Sequence, residues 1–156
     1  KCRGLLDRRD SIFSIFEARM AKDIYHDIVK AALEKDEWIV TNEQLRLKIG
    51  RRSIFIDIVA EKLIAAERKG QKIAVEVKSF VSASPIHDLE EALGQFILYS
   101  KVLNQQEPDR ILYLAVNRSI FQTLFSEEVG QLLLATTDLR LIVFEPQTQE
   151  IVQWIP

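Results

Sequence analysis

The hydrophobic positions change period several times along the chain, and each change marks an element. In "KDIYHDIVKAALEKDEW" (22–38), Tyr25, Ile28, Val29, Ala32 and Leu33 form a stripe at helical spacing, with Asp23 as N-cap. An extended segment begins at Trp38–Val40. The period then drops to two: Leu45, Leu47 and Ile49 alternate with Arg46 and Lys48, and Gly50, Arg51 and Arg52 make a turn. "SIFIDIVA" (53–60) is predicted as the next strand. Residues 61–70, "EKLIAAERKG", read either as a short helix or as a hairpin turning at Lys69-Gly70. "KIAVEVKSF" (72–80) follows as a strand.

A long helix is predicted over "SASPIHDLEEALGQFILYSKVL" (82–103). Ser84 caps it, Pro85 takes the first helical position, and Asp88, Glu90 and Glu91 place negative charge at its positive end. Its expected apolar face is Leu89, Leu93, Phe96 and Ile97. "ILYLAV" (111–116) has the continuous apolar character of a central strand covered on both faces. One or two helices follow over 119–135, then two strands, "LRLIVFEP" and "EIVQWIP", around a turn at Pro146–Gln149. Strands joined by tight turns pair antiparallel, whereas the long helix has the length of a right-handed crossover into a parallel neighbour. The expected fold class is α/β, with helices against one mixed sheet.

Composition narrows the class. The chain has 156 residues, 47% of them apolar and 28% charged, which suits one soluble globular domain. Its longest apolar runs are strand-sized, too short to cross a bilayer, and "SIFSIF" (11–16) is too short for a signal region. The single cysteine, Cys2, excludes an internal disulfide and fits a reducing, cytoplasmic setting. One cysteine and two histidines without ligand spacing exclude a zinc site, and no glycine-rich phosphate loop is present. The charge balance shifts at Met20, the only methionine: residues 1–19 are net basic, and the remainder carries a net charge of −4. Residues 1–19 are therefore expected to be an extension preceding a single domain over 20–156. An acidic body can meet nucleic acid only through a local patch. The densest one is Arg46, Lys48, Arg51 and Arg52, two from a strand face and two from its turn.

The strand at 72–80 carries Glu76 and Lys78 on one face with Ala74, opposite Ile73, Val75 and Val77. Taken alone, that is a strand with one solvated face. Asp57 changes the reading, because three apolar residues precede it and three follow. A carboxylate in such a strand needs a partner. The alternatives are a structural salt bridge to Lys78 or an arginine, and a site shared with Glu76. Two converging carboxylates make a hard, oxygen-rich site of the kind Mg²⁺ or Mn²⁺ accepts while keeping several waters. A neighbouring lysine then holds the attacking water or the developing negative charge, which suits phosphodiester hydrolysis.

Asp57 followed by Glu76-Val77-Lys78 on the next core strand resembles the PD-(D/E)XK nuclease fold, whose restriction-endonuclease-like core runs αβββαβ. Here a helical segment and two strands would extend that core. Gln95 and Tyr99, four apart on one helix face, resemble the Gln-x-x-x-Tyr motif of RecB-like branches. The segments "MAKDIYHDIVKAAL", "RLKIGRR", "AEKLIAAERKGQKIAVEVKSF", "DLEEALGQFILY" and "LRLIVFEP…IVQWIP" resemble the XisH-like family, the fdxN element excision controlling factors of cyanobacteria. The resemblance spans 20–156. It implies a role in site-specific excision of a DNA element, with DNA, a recombinase and an XisI-like companion as partners. The resemblance to the nuclease fold implies Asp57 and Glu76 as metal ligands, Lys78 as the assisting lysine, and Gln95 and Tyr99 as residues orienting Lys78 or substrate. Asp27 on the first helix, with Asp23 one turn earlier, is a candidate third carboxylate, and His26 a candidate phosphate ligand. The same fold can equally serve a non-catalytic accessory factor.

Overall fold

The computed structural model describes residues 25–63 and 70–156. The first helix, α1, covers 25–35. Strands β1 (Ile39–Asn42), β2 (Leu45–Ile49), β3 (Arg52–Ile56), β4 (Ile58–Leu63) and β5 (Gly70–Val77) follow. Helix α2 (Pro85–Gln106) leads to β6 (Arg110–Asn117), α3 (Arg118–Thr123), α4 (Glu128–Thr136), β7 (Leu141–Glu145) and β8 (Glu150–Ile155). Asp23 and residues 1–19 lie outside the described residues.

Six strands form one mixed sheet in the order β1-β4-β5-β6-β7-β8. The hairpin partners β4–β5 and β7–β8 are antiparallel, as is β1–β4. The pairs β5–β6 and β6–β7 are parallel, each reached by a helical crossover. Within the stretch 61–70, β4 continues to Leu63 and pairs with β5, so the hairpin alternative holds as far as the chain is described.

Two cores lie on the two faces of this sheet. On one, Val29 and Leu33 of α1 pack with Ile58, Ile73, Val75, Val77 and Phe144. On the other, Leu89, Ala92, Phe96 and Leu103 of α2 pack with Ala74, Leu112, Leu114 and Val116. Burial of each large side chain stabilises the fold by about 1.5–3 kcal/mol. The segment after β6 forms two helices, with Phe125 fully buried between them. There α4 lies so close to the preceding turn that only a glycine fits: a Cβ on Gly130 would sit 2.3 Å from Cα of Phe125.

The termini of α2 follow the sequence. Ser84 Oγ accepts the His87 N–H at 3.4 Å, and Pro85 opens the helix. Its buried face differs from expectation. The inward stripe is Leu89, Ala92, Phe96 and Leu103, whereas Ile97 is half exposed at 50%. Stepping by three and then four from Leu89 leads through Ala92, not Leu93, and turns Ile97 outward.

The larger correction concerns "SIFIDIVA". It is not one strand. β3 ends at Ile56, the chain bends at Asp57, and β4 begins at Ile58 in a different sheet. β3 pairs only with β2, in a separate two-stranded hairpin. Ile56 consequently packs in the α2 core and Ile58 in the α1 core. In an unbroken strand, residues two apart would share one face.

Candidate functional site

Three elements meet where the chain bends at Asp57. The Asp57 Oδ2 accepts the backbone N–H of Val77 at 2.9 Å. This bond ties the corner between the two sheets to the end of β5. On β5 the alternation places Ala74 in the α2 core, so the face that Glu76 and Lys78 share with it is the one turned toward α2. Glu76 is 6% exposed, one of three buried polar or charged residues among those described, with Asp88 and Asn117. Lys78 lies just past the end of β5, and its N–H donates to the Ala115 carbonyl of β6 at 3.1 Å.

Helix α2 completes the cluster. Lys78 Nζ donates to Gln95 Oε1 at 3.3 Å and forms an ion pair with Glu91 Oε1 at 3.5 Å. Lys78 thus pairs with Glu91, and Asp57 accepts the Val77 N–H. Tyr99, one turn beyond Gln95, stands within electrostatic reach of both Glu76 and Asp57. Burial, and then the negative charges of Glu76 and Asp57, push the Tyr99 phenol above its ordinary value. The five residues Asp57, Glu76, Lys78, Gln95 and Tyr99 thus gather in one place. Glu91 joins them, one turn before Gln95 on the same helix face. In the sequence it reads only as one of three acidic residues near the helix N-terminus, and the signal that could have found it is its i,i+4 spacing to Gln95.

The chain leaving this site is held firmly. Phe80 adopts φ 51°, a left-handed conformation that costs a residue with a Cβ about 1–2 kcal/mol. Its ring is buried in the α2 core, which offsets that cost. Asp88 Oδ2 accepts the Ser82 N–H at 3.1 Å, fixing the loop to the first turn of α2.

The other predicted residues lie elsewhere. His26 and Asp27 ride on α1, across the sheet from α2. His26 Nε2 stands 4.0 Å from Glu43, which is also paired with Lys30, and Asp27 is exposed. The basic group occupies the β2–β3 hairpin. Arg46 and Lys48 share its outer face, and Arg51 sits in the turn. Arg52 opens β3 opposite Ile49, so it belongs to the strand and to the opposite face from Arg46. Gly50 has φ 57° at the first of two loop positions, where a type II′ hairpin requires glycine.

The phenol shift sets a pH expectation. A raised folded-state pKa means that the neutral phenol is favoured in the fold. Its contribution is intact below the unfolded value near 10 and is lost as pH rises through the folded one. Tyr113 is also raised, by burial, against a lowering influence of Arg140. Alkaline titration of tyrosinate absorbance in metal-free protein should show Tyr99 and Tyr113 ionising late. Asp57→Asn should bring the Tyr99 midpoint down and leave Tyr113 unmoved. Equal behaviour of both tyrosines in that variant would mean Asp57 does not act on Tyr99.

Two solved structures are similar to this chain. A crystal structure of an XisH family protein from Nostoc punctiforme PCC 73102 is 38% identical, with a TM-score of 0.77, covering 85% of this chain and 99% of that one. A crystal structure of an fdxN element excision controlling factor protein from Anabaena variabilis is 39% identical, also with a TM-score of 0.77, covering 86% of this chain and 99% of that one. No curated protein matches. No helix among the described residues is long and apolar enough to cross a membrane. The family model for XisH protein matches residues 19–152. With that match over most of its length, and the two structural relatives beside it, the chain belongs to the XisH family.

Proposed function

We propose that this chain acts in the excision of a DNA element, and that the site between β5 and α2 is a divalent-metal-dependent phosphodiesterase on a PD-(D/E)XK nuclease-like core. The relative from Anabaena variabilis is an fdxN element excision controlling factor. The observation that carries the catalytic reading is the meeting of Asp57, Glu76, Lys78, Gln95 and Tyr99, drawn from a strand corner, a strand end and one helix face.

The residues present fit Mg²⁺ or Mn²⁺. Among the described residues no group of three His, Cys, Asp or Glu side chains is poised as a metal cage. Mg²⁺ does not need one, since it binds through one or two carboxylates and retains water. Asp57 and Glu76 would hold it, with one Asp57 oxygen kept in place by the Val77 N–H. When bound, such an ion supplies Lewis-acid polarisation of a phosphate and a more acidic water. The protein's own part is positional. Gln95 and Glu91 hold the Lys78 ammonium beside the carboxylates, aimed where negative charge develops on a phosphate oxygen. Tyr99 keeps its proton and would donate a hydrogen bond to a substrate phosphate.

The test is hydrolysis of labelled DNA with Mg²⁺ or Mn²⁺, with and without an XisI-like companion and the recombinase. Wild type should cleave, whereas Glu76→Gln and Lys78→Ala should not. A wild type inert under every condition would sink the catalytic reading. One observation favours a second reading, a non-catalytic platform for the companion, the recombinase or DNA. Glu76 is 6% exposed and Lys78 is already engaged by Glu91, a more enclosed arrangement than an open cleft. In that case Glu76→Gln and Lys78→Ala would leave excision intact.

DNA contact through the β2–β3 hairpin belongs to both readings. Replacing Arg46, Lys48, Arg51 and Arg52 with alanine should weaken binding. It should also flatten the log–log salt dependence by about 0.9 for each phosphate contact removed. A slope identical to that of wild type would take the hairpin out of consideration.

A further inference from the structure

The outer face of the β2–β3 hairpin holds something that phosphate contact does not require. In the antiparallel register Arg46 lies opposite Phe55, and Lys48 opposite Ser53. Directly opposed residues share a face, so these four side chains point the same way. The inner face is spoken for: Leu47 is 4% exposed and Ile56 fully buried against α2, with Leu45 and Ile54 packed beside them. The backbone is pinned there too, since Gln106 Nε2 at the end of α2 donates to the Lys48 carbonyl at 2.8 Å. Phe55 points the other way. It is 45% exposed in the middle of a cationic surface.

Arg46 is not a loose cation beside this ring. Its Nε donates to Ser53 Oγ at 3.1 Å, and its guanidinium lies 5.9 Å from the centre of the Phe55 ring. The result is a flat ribbon bearing an aromatic ring and a braced planar cation, with Lys48 alongside. Arg52, at the start of the same β3 strand, lies on the other face; two residues beyond Phe55 lies Asp57, at the candidate site. Duplex phosphates require only the charges. A presented ring with two cations beside it on the neighbouring strand matches unpaired bases, which stack on aromatic and guanidinium planes while their phosphates meet the charges.

We propose that the outer face of the β2–β3 hairpin is a stacking platform for unpaired nucleobases, so that this face holds single-stranded DNA. The proposal rests on the DNA-handling part of the reading above and not on hydrolysis. It names the form of DNA that the hairpin takes.

The test uses the full chain in a chelating buffer at fixed salt, by fluorescence anisotropy. The probes are an oligothymidylate, an abasic strand of equal length, and a duplex. Oligothymidylate should bind about tenfold tighter than the abasic strand, a ratio set by stacking of a base on a ring. Phe55→Ala should erase that ratio while leaving abasic and duplex affinity, and the salt slope, as in wild type. Phe55→Trp should restore it, which separates loss of stacking from damage to the hairpin. Equal affinity for the oligothymidylate and the abasic strand, a Phe55→Ala protein weakened equally on all three probes, or no binding to any, would overturn it. A protein that hydrolyses nothing yet keeps the Phe55-dependent ratio supports this proposal and separates its fate from that of the phosphodiesterase.

Discussion

Asp57→Asn should abolish divalent-cation binding and any hydrolysis together, while leaving the fold within about 1 kcal/mol of wild type. In the proposed reading the Asp57 carboxylate has two jobs: it would hold the metal with Glu76, and its Oδ2 accepts the Val77 N–H at 2.9 Å. An asparagine side-chain oxygen can do the second but lacks the charge for the first. Asp57→Ala removes both. It leaves the Val77 N–H without its acceptor, at a cost of about 1–3 kcal/mol. Calorimetric titration with Mn²⁺ should show wild-type binding in roughly the millimolar range or tighter, since the site has few protein ligands and keeps several waters. Urea melts of the three proteins supply the second axis. If Asp57 served only a buried ion pair, Asp57→Asn would instead lose about 3–5 kcal/mol and wild type would bind no Mn²⁺. That pair of results would remove the metal site.

Gly130→Ala should destabilise the protein by about 3 kcal/mol, close to the largest cost expected of adding one methyl group to a packed interior. The new Cβ would meet Cα of Phe125 at 2.3 Å, the Leu124 carbonyl oxygen at 2.5 Å and the Phe125 carbonyl carbon at 2.8 Å. These are backbone atoms and cannot rotate aside as a side chain can. Relief requires α4 to move off the turn that seats Phe125, whose ring is fully buried. For a chain of this size the melting temperature should fall by roughly 2–4 °C per kcal/mol. Gly94→Ala in α2 is the matched control, because nothing lies within 4 Å of its Cβ position. It should be neutral or stabilising by up to about 1 kcal/mol, through lower chain entropy and better helix propensity. Equal effects of the two changes would show that α4 is not packed as described.

Much of the architecture was legible from local chemistry. Ser84 and Pro85 mark the start of α2, the apolar run in β6 marks a strand covered on both sides, and period two in β5 assigns Glu76 and Lys78 to one face. These signals lie within a few residues of what they specify. The break at Asp57 is of another kind. Ile54, Ile56 and Ile58 continue an unbroken alternation, so nothing nearby announces that the chain changes sheets. The contact that holds the corner is long-range: the Val77 N–H, twenty residues away, donates to the Asp57 carboxylate. The buried stripe of α2 runs through Ala92, a side chain small enough to be outweighed in the sequence by Leu93 and Ile97. At the site, Gln95 and Tyr99 were visible as a spaced pair. Glu91 was not singled out, because an acidic residue near a helix N-terminus already has a sufficient explanation. Phe55 was read simply as an apolar strand residue, since only the pairing register shows which face it takes.

The parallel pairing of β5 with β6 has a consequence for the order of events during synthesis. Lys78 is anchored through the Ala115 carbonyl, and Ala115 is made only after the whole of α2. The hairpin β4–β5 and the hairpin β7–β8 can each form from neighbouring chain, but β5 cannot acquire its second partner until the crossover closes. Contacts so distant in sequence form slowly, because the loop must close before they reward it. Until then one edge of β5, whose residues from Ile73 to Val77 are all buried in the finished fold, stays open to pairing with other strands. The candidate site therefore matures only once this crossover has closed, and a nascent chain stalled before Ala115 would carry Asp57, Glu76 and Lys78 without the strand that sets them in place.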